Sequence, residues 1–122
     1  MSSASVAPPT EADSSAKATG VMVCFSTMPD LATAEKIARA LVEESLVACV
    51  NLVPRVRSIY RWNGAVCDEE EVLLIIKTTH ARREDLRARL LELHPYEVPE
   101  LICAEVLFGH EPYLDWVRDS TR

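Results

Sequence analysis

The sequence predicts an α+β fold built on one antiparallel sheet, and three observations carry that expectation. Four runs are rich in β-branched and aromatic residues, namely VMVCFST (Val21 to Thr27), ACVNLVPRVRSIYRW (Ala48 to Trp62), AVCDEEEVLLIIKT (Ala65 to Thr78) and LICAEVLF (Leu101 to Phe108). Asn63-Gly64 joins the second run to the third. A two-residue type I′ turn needs φ > 0 at both central positions, which this dipeptide accepts most readily. The remaining connections between runs have the apolar spacing of helices.

Each element follows from its residues. The first run is short and almost continuously apolar, as suits a central strand covered on both faces. Asp30 is a fair N-cap for the helix after it, and Ala34, Ile37, Ala38, Leu41 and Val42 form its apolar stripe. The long hairpin comes next. Pro54 in its first arm cannot donate to a ladder, so it marks a bulge or bend. VLLIIK (Val72 to Lys77) in the second arm reads as a buried strand ending in a charge. A second helix spans roughly Arg82 to Leu93, with Leu86, Leu90, Leu91 and Leu93 inward. Pro95 stops it. After the fourth strand and Gly109, residues Pro112 to Arg122 form a short C-terminal helix with Tyr113, Trp116 and Val117 on one side. The order β-α-β-β-α-β plus a terminal helix is the ferredoxin-like arrangement, a sandwich with both main helices on one face of the sheet.

The hairpin is too long for its body. At about 3.3 Å per residue its outgoing arm extends roughly 45 to 50 Å, whereas a body of about 100 residues has a radius of gyration of about 13 Å. A two-stranded ribbon is marginal in water, and the sheet face opposite the helices is left bare. Both features have one remedy, which is assembly with a partner subunit.

Composition narrows the function. The formal charge of −6 makes a phosphate backbone a poor partner, so nucleic acid is not expected. No apolar stretch approaches the roughly 20 residues of a membrane span. Residues 1–20 hold Ser, Ala, Pro and Thr with Val6 as the one large apolar side chain after Met1, which predicts a disordered tail ahead of a single domain over residues 21–122. That tail has neither the apolar core of a secretory signal nor an arginine, so a cytoplasmic location is expected. Cys24, Cys49, Cys67 and Cys103 form no C-x-x-C pair and read as small buried hydrophobes with free thiols.

The plain enzyme motifs G-x-S-x-G, H-E-x-x-H and the P-loop are absent, and no catalytic residue is expected. The run Asp68 to Glu71 could attract cations, but consecutive strand residues point to opposite faces, so a solvated strand end is expected. HPYEVPE (His94 to Glu100) is the most unusual polar cluster. It is either a rigid helix-to-strand connection or a cleft wall at a subunit boundary, where Tyr96 and Glu100 would meet a small ligand or metal. Lys77 is either a snorkelling lysine or the counter-charge of that cleft. Cys49 and His94 offer thiolate and imidazole, the donors that soft and borderline metals prefer; the alternative is a buried thiol and a separate helix-end imidazole. Tyr60, Trp62 and Trp116 are large side chains on the hairpin and the terminal helix, and read as subunit-interface anchors.

Taken together, LVACVNLVP, SIYRWNGAVCDEEEVLLIIKT, HPYEVPE and YLDWVR closely resemble the CutA (CutA1) family of divalent-cation tolerance proteins. The resemblance spans essentially Val21 to Arg122. It implies a small cytoplasmic homotrimer of ferredoxin-like fold, related in architecture to the PII signalling proteins. It further implies a role in tolerance of copper or another divalent cation, no required cofactor and no enzymatic activity. His94, Tyr96 and Glu100 match positions of the family's HPYE-x-PE motif, and Cys49 sits in the strand matching ACVN. Ser26 stands near where some members have a cysteine, and Ala104-Glu105 replaces a common Leu-Pro. The alternative implied by the same resemblance is a PII-like trimer that senses a small molecule without a direct metal role.

Overall fold

Alternation of buried and half-buried residues along Val21–Met28 makes this strand, β1, the centre of the sheet. The computed structural model describes residues 18–122. After β1 come α1 (Leu31–Glu43), β2 (Cys49–Trp62), β3 (Ala65–Thr79), one 3-10 turn (His80–Arg82), α2 (Arg83–Leu93), β4 (Ile102–Glu105) and α3 (Glu111–Ser120). The sheet order is β2-β3-β1-β4 with every neighbouring pair antiparallel, which is the expected ferredoxin-like arrangement. No helix among the described residues is long and apolar enough to cross a membrane.

Period-2 geometry divides the sheet into two faces. Met22, Cys24, Ser26 and Met28 of β1 lie beside Val72, Leu74, Ile76 and Thr78 of β3. Ala34, Ile37 and Leu41 of α1 and Leu86 and Leu90 of α2 cover this layer and complete the main core. Asp30 caps α1 as expected, its Oδ1 accepting the Thr33 N–H at 2.8 Å. The opposite face carries Val21, Val23, Phe25, Leu73 and Ile75. α3 closes only one end of it, packing Leu114 and Val117 against Val21 and Ala48. The rest is uncovered in the chain, and Ile102 at its edge is 61% exposed.

The hairpin forms as expected. Asn63 and Gly64 take φ of 51° and 79°. A register shift between Val53 and Val56 places a β-bulge at Pro54 and Arg55, and Arg55 itself has φ of 64°.

Four expectations need correction. β4 has four residues rather than the eight-residue run, because Val106 is the last residue of that segment to bond β1, its N–H reaching the Val21 carbonyl at 2.9 Å. α3 turns Leu114 and Val117 inward while Tyr113 and Trp116 face outward, their rings 5.5 Å apart. Cys24 and Cys103 are bonded to one another as a disulfide, not free. They are direct cross-strand partners. Because Val21 and Val106 are a hydrogen-bonded pair, alternation makes Cys24 and Cys103 a non-hydrogen-bonded pair, the kind in which side chains approach most closely. Their Cα atoms are 4.0 Å apart, while Cys49 and Cys67 remain free. Finally, the disordered tail expected over residues 1–20 lies outside the described residues through residue 17, but Thr19 and Gly20 belong to the domain. Thr19 Oγ1 donates to the Val106 carbonyl at 2.5 Å, Arg118 donates to the Thr19 carbonyl, and the Gly20 carbonyl accepts the His80 N–H.

Candidate functional site

Where the hairpin leaves the sheet, HPYEVPE folds back against it. α2 ends at His94, whose N–H bonds the Leu90 carbonyl and whose backbone turns extended. The His94 ring is buried, and both of its nitrogens are engaged. Nδ1 accepts the Tyr96 N–H at 3.1 Å, which leaves Nε2 to donate to the Thr27 carbonyl at 2.8 Å. The neutral Nε2–H tautomer follows from that pair of bonds. His94 thereby fixes the wall's first turn to the end of β1.

Tyr96 then reaches across to β3, where its hydroxyl donates to Glu71 Oε2 at 2.6 Å. On the hairpin the Tyr60 hydroxyl donates to Glu69 Oε1, also at 2.6 Å. Between them lies a cleft of about 390 Å³, whose polar lining includes Tyr60, Glu69, Glu71, Tyr96, Glu97 and Glu100. Trp62 and Val98 supply apolar wall, and no lining residue is basic. The bond to Glu69 pushes the Tyr60 phenol up to about 12. Burial, followed by the bond to Glu71, holds the Tyr96 phenol well above its ordinary value. Both groups are therefore neutral donors at neutral pH. The hairpin's other face is neutralised separately, since Arg57 grips Asp68 with two bonds of 2.9 and 2.7 Å.

Of the residues singled out in the sequence, Tyr60, Trp62, Tyr96 and Glu100 meet at this cleft. Lys77 does not. It lies at the far end of β3 opposite Cys49, and its ammonium donates to Asn51 Oδ1. Cys49 and His94 are not brought together within the chain. Cys49 aligns through Lys77 with Val23, whereas His94 bonds Thr27, four residues and about 13 Å further along β1. With both ring nitrogens occupied, His94 has no lone pair to give a metal. Among the described residues no three His, Cys, Asp or Glu side chains form a ligand cluster. Trp116 sits on the outside of α3, away from the cleft lining.

Glu69 and Glu71 are not expected in the site from the sequence. The acidic run reads as solvated, yet Glu71 is only 6% exposed. Alternation contained the signal: residues two apart on a strand share a face, so Glu69 and Glu71 point the same way and need only a second element opposite them. HPYEVPE is that element.

The model of the family described as CutA1 divalent ion tolerance protein matches residues 22–120. The chain belongs to the CutA1 family. It is 48% identical over 99 residues to the divalent-cation tolerance protein CutA of Thermus thermophilus, covering 81% of this chain and 96% of that one. It is 46% identical to human protein CutA over 83% of this chain and 56% of the human protein. Among solved structures, the divalent cation tolerance protein of Thermus thermophilus superposes with a TM-score of 0.81 at 46% identity, covering 84% of this chain and 99% of that chain. The PII-like protein CutA of Nostoc sp. PCC 7120, in apo form, gives 0.78 at 45% identity over 83% and 97% of the two chains. A relative from Arabidopsis thaliana is named as chloroplastic and one from Archaeoglobus fulgidus as periplasmic, so location varies among the proteins this chain is similar to.

Proposed function

We propose that the chain acts in divalent-cation tolerance as a cytoplasmic homotrimer without enzymatic activity, and that the cleft at the hairpin base is its cation-binding site. The observation that carries this reading is the cleft's chemistry. Glu69, Glu71, Glu97 and Glu100 line the cleft together with two neutral phenols, and no cationic side chain does. Carboxylate and phenol oxygens are the donors that hard and borderline divalent ions take. The carboxylates do not form a complete ligand set within one chain, so a neighbouring subunit is to supply the remaining donors. The uncovered apolar face and the projecting hairpin, with Tyr60 and Trp62 near its tip, favour such assembly. A thiolate and imidazole copper site built on Cys49 and His94 does not fit this arrangement.

Sedimentation velocity and calorimetric titration with Cu(II), Zn(II) and Mg(II) test the proposal. Wild-type protein is expected to sediment as a trimer and to give saturable heats that the double variant Glu69→Gln, Glu100→Gln loses. Trp62→Ala is expected to weaken the trimer. Equal heats from wild type and the double variant exclude the cleft as the site, and a wild-type monomer at low micromolar concentration excludes the assembly. A second reading, small-molecule sensing with no direct metal role, is favoured by the likeness to the PII-like Nostoc protein. It predicts thermal stabilisation by a small organic ligand and none by any of the three ions.

A further inference from the structure

We propose that Cys24 and Cys103 form a redox-responsive clasp that sets how firmly the cleft wall from His94 to Leu101 is held on the sheet. Besides the Tyr96 bond to Glu71, the wall is anchored at both ends. At its start, His94 bonds Thr27. At its end it runs directly into β4, an edge strand with only four ladder partners on β1, the second of its residues being Cys103. The disulfide is the one side-chain covalent link in the described chain between β4 and the rest of the sheet, and it joins residues 79 positions apart. All four β4 residues are exposed, whereas Cys24 is fully buried. One sulfur of the bond therefore belongs to an open edge and the other to the core.

That asymmetry fixes the chemistry of opening. A thiolate reductant of the glutathione class attacks Cys103 Sγ, the sulfur–sulfur bond breaks, and Cys24 leaves as a thiolate that takes up a proton. A second reductant thiolate attacks the mixed disulfide, which releases Cys103 as a thiolate that is protonated in turn, and the reductant departs as its own disulfide. Two electrons and two protons pass to the protein. In the reduced state β4 is kept by its short ladder and by the contacts of Leu101 and Val106 at its two ends, and short edge segments with exposed backbone bonds are where local opening is easiest. The helix-covered face carries Cys24, so the clasp does not compete with the apolar face for a subunit contact. In a thiol-reducing compartment a disulfide is a transient, sensing feature rather than a permanent staple. The clasp would close, and the Tyr96 and Glu100 wall tighten, during oxidative excursions. This inference does not depend on what the cleft binds.

The test uses the full chain, equilibrated with oxidised or reduced glutathione. Thiol titration should count two free thiols in the oxidised protein and four in the reduced one, since Cys49 and Cys67 are free in both. Hydrogen exchange should show the amides of residues 96–105 exchanging about tenfold faster or more after reduction. Cys103→Ser should exchange at the reduced rate under both conditions, while Cys49→Ser and Cys67→Ser respond as wild type does. Reduction of the wild type needs no variant to fold. Four free thiols after oxidation overturn the clasp, and so does a bond that forms and breaks without changing exchange across 96–105.

Discussion

His94→Ala tests whether the cleft wall is held by an imidazole acting as a fixed hydrogen-bond bridge. The variant removes the Nε2 bond to Thr27 and the Nδ1 bond from Tyr96, each worth about 0.5–1.5 kcal/mol net, or about 1–3 kcal/mol together. It also removes a tilted contact with the Tyr96 ring at 4.8 Å between centroids, worth about 0.5–1.5 kcal/mol more. Thr27 and Tyr96 are both partly exposed, so water replaces some of what is lost, and the expected destabilisation is about 1–3 kcal/mol. Urea unfolding measures it, at one protein concentration because subunit association makes the midpoint concentration-dependent. The midpoint should fall with little change in slope. Hydrogen exchange should accelerate from Tyr96 to Glu100 more than in α1. A loss below about 0.5 kcal/mol, the range of an ordinary surface substitution, with exchange at Tyr96 unchanged would refute the bridge.

Three further outcomes follow from particular side chains. The Tyr60 and Tyr96 phenols ionise later in the folded chain than in the unfolded one, so their stabilisation is whole below the ordinary tyrosine value of about 10. It is lost as the pH rises through the folded values, about 12 for Tyr60. Alkaline unfolding of Tyr96→Phe should therefore fall less steeply than that of wild type, and an identical profile would contradict the bond to Glu71. Ser26 Oγ is a buried side-chain atom with no hydrogen-bond partner. Ser26→Ala should stabilise by about 1 kcal/mol in urea, whereas a loss of that size would reveal a partner for the hydroxyl. A Cβ on Gly64 meets nothing within 4 Å, so Gly64→Ala isolates the backbone penalty at φ of +79°. It should cost about 1 kcal/mol by urea unfolding, and a neutral result would mean that the turn is not held in this conformation.

Local chemistry explains what the sequence revealed. Asn63-Gly64, the Asp30 cap, the α1 stripe and the proline stop after His94 each depend on neighbours within a few residues, and each appears where expected. What depends on strand register does not. Cys24 and Cys103 look ordinary in their own runs, and only the alignment of β4 on β1 makes them partners. The same kind of alignment places Lys77 beside Cys49 rather than beside Tyr96. α3 is rotated by one step from its expected facing, because Tyr113 and Trp116 are the larger apolar residues but Leu114 and Val117 face the sheet. Half the cleft is visible in the sequence because HPYEVPE is stiff and strongly polar. The other half is hidden in an acidic run whose members divide between two faces.

The bulge at Pro54 and Arg55 determines the phase of everything beyond it. Before it, Cys49, Asn51 and Val53 share the open face with Lys77, Ile75 and Leu73; after it, Val56, Ser58, Tyr60 and Trp62 do, paired with Glu71, Glu69, Cys67 and Ala65. The parity of β2 has changed from odd to even by one inserted residue, while that of β3 has not. Straighten the bulge with that residue kept in the ladder and the distal arm slips by one and turns over as a block. Arg57, Ile59 and Arg61 would then face Tyr96 and the cleft carboxylates, and the two aromatics would point away. A change that irons out the bulge would thus exchange an acidic, aromatic chamber for one lined by guanidinium groups without altering a side chain in either wall, whereas deletion of Arg55 would leave Val56 opposite Glu71 and the chamber as it is.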